Sequence, residues 1–267
     1  MMVRLDALAA ARGLFPSRQR AKGAILAGRV SVNGVISDKP SELVCEDAIL
    51  AAPRAAEDYV SRGGKKLERA LDVFGVSPRG LVCLDLGASR GGFTQCLLLR
   101  GAKRVYAVDV GHGQLAPQLL SDERVVSLEG VNAREIEPEI LAEAPQLAVI
   151  DVSFISLALI FPALRTVIAP GAQVIALIKP QFEAGRGNVG KKGIVKDPKT
   201  HKRVLEELLV SARAAGFEIT AVTHSPVRGG DGNIEFLALL GDAGAAEIDC
   251  AAVVKTAHTH FKSGGSA

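Results

Sequence analysis

"GLVCLDLGASRGGFTQCLLLRGAKRVYAVDV", Gly80–Val110, holds an apolar run, a glycine-rich turn, a helical stretch ended by Gly101, and a second apolar run. Strand, helix and strand in that order make a βαβ unit, and such units build parallel sheets. Further strand candidates follow outward from it: "RVVSLEG", "LAVIDVSFI", "QVIALIK", "FEITAVTHS" and "NIEFLALL". The last two are separated only by the turn-rich "PVRGGDG", which predicts an antiparallel pair. The expected architecture is α/β, a doubly wound and mostly parallel sheet.

The turn "DLGASRGGF" then sets the ligand class. Glycines between a strand and a helix let backbone approach a ligand closely, and Asp109 ends the next strand, where a carboxylate can grip ribose hydroxyls. Gly87, Gly91 and Gly92 do not provide the G-x-G-x-x-G spacing of a dinucleotide site. Asp85 places a carboxylate near the turn, which would repel a pyrophosphate but suits the amino-acid end or sulfonium of S-adenosylmethionine. S-adenosylmethionine is therefore expected rather than a nicotinamide cofactor. The candidate cofactor residues are Asp85, Gly87, Ala88, Ser89, Gly91, Gly92, Phe93, Asp109 and Asn132.

The chain has 267 residues, 48% of them hydrophobic, enough for one large domain with a small companion. Cys45, Cys83, Cys96 and Cys250 lie far apart, without metal or disulfide spacing, and read as reduced structural residues. The start shows no charged-then-apolar leader, so a cytoplasmic protein is expected. Phe154–Ile178 is long and apolar, but Pro162, Arg165, Pro170, Gly171 and Gln173 break it into pieces of core-element size, which argues against a membrane span. The five histidines show no ligand spacing, and no metal is expected.

Charge is unevenly spread. Residues 1–40 hold seven basic side chains against two acidic, more excess than the whole chain's +3, so the remainder is net negative. A basic segment of this kind suits a polyanion. It reads as two helices, "RLDALAAARGLF" and "SRQRAKGAILAG", the second capped by Ser17, then a hairpin around Asn33-Gly34. "SRQRAKGAILAGRVSVNG" resembles a small RNA-binding module first recognised in a small-subunit ribosomal protein and fused to several RNA-modifying enzymes. That resemblance, over about 50 residues, implies binding to structured RNA. Domain limits of 1–58 for this module with its linker and 59–267 for the remainder are expected. The candidate RNA-binding residues are Arg4, Arg18, Arg20, Lys22, Arg29, Arg62, Lys191 and Lys192.

Taken together, "DLGASRGGF", "VDVGHGQLA", "VIDVSFIS", "IKPQFE" and "GNIEF" are similar to the TlyA family, also called the hemolysin A family. The resemblance spans nearly the whole chain. It implies a Rossmann-like class I methyltransferase sheet of FtsJ type behind a small N-terminal α+β RNA-binding domain. It also implies transfer of methyl groups from S-adenosylmethionine to cytidine ribose 2′-hydroxyls in ribosomal RNA. The family's Lys-Asp-Lys-Glu catalytic set falls on Lys66, Asp151, Lys179 and Glu235, with Lys65 open as an alternative to Lys66.

The residues make chemical sense of this set. "VIALIKPQFE" runs an apolar strand straight into Lys179, and Asp151 likewise follows an apolar strand. Open parallel sheets bind ligands at such strand ends. A ribose hydroxyl is a weak nucleophile, and a base that takes its proton assists methylation. Lysines serve as bases where burial and a second ammonium favour the neutral amine, so Lys179 is the candidate base. Asp151 and Glu235 are expected to orient it, with Lys66 tuning charge or holding substrate. "EAGRGNVGKKGIVKDPKTHKR", Glu183–Arg203, reads as a basic loop able to close over RNA. No Trp and two Tyr leave little stacking platform for single strands, so recognition should lean on phosphates, shape and the 2′-hydroxyl.

Overall fold

The computed structural model describes residues 2–15, 17–26, 28, 30–51, 59–242, 244 and 246–263. The chain divides into two compact units, Met1–Asp58 and Tyr59–Ala267. Arg29, one of the candidate RNA-binding residues, lies outside the described residues.

The first unit contains β1 (Met2–Arg4), α1 (Leu5–Ala11), α2 (Arg18–Leu26), β2 (Val30–Val32), β3 (Val35–Ser37), β4 (Leu43–Cys45) and β5 (Leu50–Ala51). Its own small core gathers Leu5, Leu8, Ala9, Ile25 and Val30. Ser17 caps α2 by accepting the Arg20 N–H at 3.3 Å. Asn33 and Gly34 both take positive φ, at 50° and 85°, in the tight turn that pairs β2 with β3. Asp6 is buried at 2% exposure. Its carboxylate accepts from Arg4 and pairs with Arg18, which hold its pKa down to about 2. Arg4 and Arg18 thus have a structural task, while Arg20 and Lys22 stand exposed on α2.

The second unit runs α3 (Gly63–Phe74), β6 (Val82–Leu86), α4 (Gly92–Leu99), β7 (Arg104–Asp109), α5 (Pro117–Leu120), β8 (Val125–Glu129), β9 (Leu147–Ile150), α6 (Phe161–Val167) and β10 (Gln173–Ile178). It continues through α7 (Pro180–Glu183), α8 (Pro198–Ala214), β11 (Glu218–His224), β12 (Phe236–Gly241) and α9 (Cys250–Lys262). The seven strands lie in the order β11-β12-β10-β9-β6-β7-β8. All neighbours pair in parallel except β12, which is antiparallel to both β10 and β11. One face packs on α3 and α4 through Leu67, Leu97 and Leu237; the other packs on α6, α8 and α9 through Leu164, Leu205 and Val254. The strand order reverses direction between β6 and β9, so their carboxyl ends frame the crevice where such sheets bind ligands.

The Phe154–Ile178 stretch becomes a short 3-10 turn, α6 and β10. Among the described residues no helix is long and apolar enough to cross a membrane. The Glu183–Arg203 segment departs from the loop reading. Asp197 caps α8 by accepting the N–H groups of Lys199 and Thr200, both at 3.2 Å, and Pro198 occupies the first turn, so the final six residues are helical. The part before it is tied down by fully buried Asn233, whose side chain accepts from Val195 N and donates to Gly193 O, each at 2.9 Å.

Candidate active site

β6 and β9 end side by side, and the turns that follow them build the site. Gly87 takes φ 86° after β6, and a Cβ there would lie 2.6 Å from the Asp151 carbonyl oxygen. Only glycine allows the two strand ends to approach this closely. Gly91 and Gly92 open α4, and a Cβ on Gly92 would stand 2.2 Å from Ser61 Oγ. Ser89 is left-handed at φ 46° and donates its N–H to Asp109 Oδ2 at 2.8 Å, while Gly111 N donates to Asp109 Oδ1 at 2.7 Å. Asp109 is thereby fixed at the carboxyl end of β7.

A cleft of about 490 Å³ opens over these turns, walled by Gly87, Ser89, Asp109, Gln114 and Asn132 on one side and by Val131, Ile155 and Ile160 as apolar lining. A recess of about 180 Å³ adjoins it, lined by Ser61, Ala88, Gly92, Phe93 and Lys179. Gly87, Ser89, Asp151 and Ser153 line both, so the two form one trough from Asp109 to Lys179. Asn132 shapes the rim by accepting the Arg134 N–H at 3.1 Å.

Asp85 departs from its expected place. Strand alternation turns it towards α4, fully buried, where its Oδ2 accepts from Thr94 Oγ1 at 2.6 Å. It does not line the cleft. Burial pushes its pKa up to about 7, against the pull of the Thr94 hydrogen bond.

At the far end of the trough the four charged candidates come together as two ion pairs. Lys179 Nζ meets Asp151 Oδ1 at 2.7 Å and donates to Ser153 Oγ at 2.8 Å. Lys66 Nζ meets Glu235 Oε2 at 2.5 Å, with both groups buried. Glu235 therefore holds Lys66 and not Lys179. Burial raises the Glu235 pKa while Lys66 lowers it, and Asp151 and Lys179 also act on it, so the pairs feel one another. Lys65, the alternative, is exposed, whereas the phase of α3 buries Lys66 against Glu235. Arg62, Lys191 and Lys192 are exposed.

Ser61, Gln114, Ser153, Phe154 and Glu183 also stand at the site; the last four fall inside stretches that carry the family resemblance, but neither residue type nor spacing singles any of the five out. Glu183 accepts from Ser156 Oγ at 2.6 Å and from Leu157 N at 2.9 Å, tying the turn after β9 to α7. Phe154 is 91% exposed at φ 64°, its ring 5.0 Å from that of Phe182. A phenylalanine held left-handed and presented to solvent is strained, and such strain concentrates at functional sites.

The described residues include no group of three or more His, Cys, Asp or Glu placed to hold a metal. The mostly parallel sheet with its trough at the strand-order reversal is an FtsJ-like methyltransferase fold, and the family model of FtsJ-like methyltransferases matches residues 59–242. Residues 3–50 match the S4 domain. The chain belongs to the TlyA, or hemolysin A, family. It is 44% identical over 234 residues to the 16S/23S rRNA (cytidine-2′-O)-methyltransferase TlyA of Mycobacterium tuberculosis, covering 87% of each chain. A Bacillus subtilis protein provisionally named an rRNA methyltransferase is 52% identical over 235 residues, 88% of this chain and 84% of that one. A solved structure from Streptococcus thermophilus, provisionally named a hemolysin, superposes with a TM-score of 0.75 at 46% identity over 98% of both chains.

Proposed function

We propose that this protein transfers a methyl group from S-adenosylmethionine to the ribose 2′-hydroxyl of a cytidine in ribosomal RNA, with Lys179 as general base. The observation that carries the reading is the continuity of one trough from Asp109 to the Lys179–Asp151 pair, with the buried Lys66–Glu235 pair close enough for Lys179 and Asp151 both to act on Glu235. The substrate class is supported by the methylating relative named above and by the S4 domain.

The trough suits the cofactor. Each Asp109 oxygen accepts one backbone N–H and keeps a further lone pair for a ribose hydroxyl, and the apolar wall offers a surface for a base. Gly87, Ala88, Ser89, Gly92 and Phe93 line the part nearest Lys179. When bound, S-adenosylmethionine supplies a methyl group made electrophilic by its positive sulfur.

The chain's own groups deal with the proton. Lys179 Nζ takes the proton that the 2′-hydroxyl gives up as its oxygen gains carbon. Ser153 and Asp151 aim the amine, and Asp151 stabilises the ammonium that results. Lys66, fixed by Glu235, adds a positive charge nearby that steadies a developing alkoxide. Phe154 offers an exposed ring at the cleft rim for stacking of the target base.

Ribosomal RNA from cells with and without the gene, mapped for 2′-O-methylation, tests this reading. The expected result is at least one cytidine whose 2′-O-methyl group vanishes in the deletion and returns with the wild-type chain; identical maps would overturn it.

A further inference from the structure

The C-terminal helix α9 separates two grooves that the trough does not use. One, of about 640 Å³, is lined by Arg69 of α3, His224 at the end of β11, and Lys255 and His260 of α9. The other, of about 370 Å³, is lined by Lys199 and Lys202 of α8 with His258 and Lys262 of α9. Lys255 and Thr259 border both. No Asp or Glu among the described residues lines either groove.

This concentration stands out against its background. Beyond residue 40 the chain is net negative, yet Cys250–Lys262 carries Lys255 and Lys262 and no acidic residue. Lys202 pairs with Glu206 at 3.2 Å, whereas Arg69, Lys255 and Lys262 make no ion pair among the described residues. The cations instead press on one another. Burial, His260 and Arg69 hold the His224 imidazole below its ordinary pKa; burial, Lys262 and Arg228 do the same to His258, with Asp197 acting in the opposite sense. Solvated lysines on a helix face would account for exposed charge, but not for two concave sites in which cations, three of them without an ion pair among the described residues, converge with imidazoles.

The first groove also borders the catalytic elements. Arg69 is one turn beyond Lys66 on α3, and Ser225, next to His224, donates its N–H to the Glu235 carbonyl at 2.9 Å.

We propose that the two grooves flanking α9 bind the phosphate backbone of the substrate RNA beside the active site. This rests on the ribosomal RNA reading above. Such contacts position a strand without reading its sequence, so they set affinity and salt dependence and not the nucleotide chosen.

The test measures binding of the full chain to deproteinised ribosomal RNA across a salt series, together with methyl transfer. Arg69→Ala/Lys255→Ala and Arg69→Glu/Lys255→Glu are compared with wild type, and Lys199→Ala/Lys262→Ala probes the second groove with exposed positions only. Each lost phosphate contact should flatten the log K against log salt slope by about 0.7 to 0.9. An alanine pair should therefore flatten it by roughly 1.5, and the glutamate pair should weaken binding further. Cofactor affinity and single-turnover rate at saturating RNA should be unchanged. Wild-type affinity and slope in all three variants would overturn the proposal. A wild type that neither binds nor methylates the RNA would instead fault the substrate reading on which it rests.

Discussion

Asp85 carries a cost that its neighbours only partly offset. Its folded-state pKa of about 7 lies above the ordinary carboxylate value of 3.8. Between those values the folded chain keeps a proton that the unfolded chain has released. Stability from this group is therefore full below about pH 4 and falls as pH rises towards 7, by roughly 4 kcal/mol at most. Asp85→Asn keeps an oxygen to accept from Thr94 and never ionises. Urea unfolding at pH 5 and pH 8 should show wild type losing more stability than the variant across that interval, by up to about 3 kcal/mol. Equal losses would mean that Asp85 is ionised in the fold at little cost.

At the scale of elements, close approach explains which glycines tolerate change. A Cβ on Gly64 in α3 would fall 2.0 Å from the Tyr59 ring, and Tyr59 donates its hydroxyl to Glu68 Oε1 at 3.0 Å. Gly64→Ala must displace that ring and should cost about 1–3 kcal/mol, as overpacking does. Gly23 in α2 has helical backbone and open space, with nothing within 4 Å of where a Cβ would stand. Gly23→Ala should therefore stabilise the chain by about 0.5–1 kcal/mol. Thermal unfolding of both variants checks the pair of signs.

The same scale shows what the sequence can reveal. Gly80–Val110 discloses its βαβ unit because the glycines punctuate two short apolar runs, and the antiparallel β11–β12 pair follows from "PVRGGDG". The Asp197-Pro198 start of α8 was legible too, but a glycine-rich and basic context masked it. Orientation is harder. β6 is buried along its whole length, so polarity gives no sign of which way Asp85 faces. Ser153 and Phe154 act through a turn, where no periodicity exists to flag them. Lys65 and Lys66 differ only by helix phase, which needs the packing of α3 to resolve.

For the whole molecule, each unit has its own core, that of the first gathered around Leu5 and Ile25 and that of the second on both faces of the sheet. A chain lacking residues 1–58 should therefore fold and bind S-adenosylmethionine, yet bind ribosomal RNA more weakly and with a shallower salt dependence. Calorimetry for the cofactor and a salt series for the RNA give the two readouts; undiminished RNA binding would remove the S4 domain as an anchor. The central claim concerns Lys179, and single-turnover transfer of labelled methyl to ribosomal RNA tests it most directly. Arginine keeps the charge at this position but cannot give up its proton at working pH, so it can hold Asp151 and cannot act as a base. With Lys179 as the base, Lys179→Ala and Lys179→Arg should both lose transfer by about 10²-fold or more while cofactor and RNA affinity persist. Transfer by Lys179→Arg within a few-fold of wild type would contradict that role and leave Lys179 as a positioning cation.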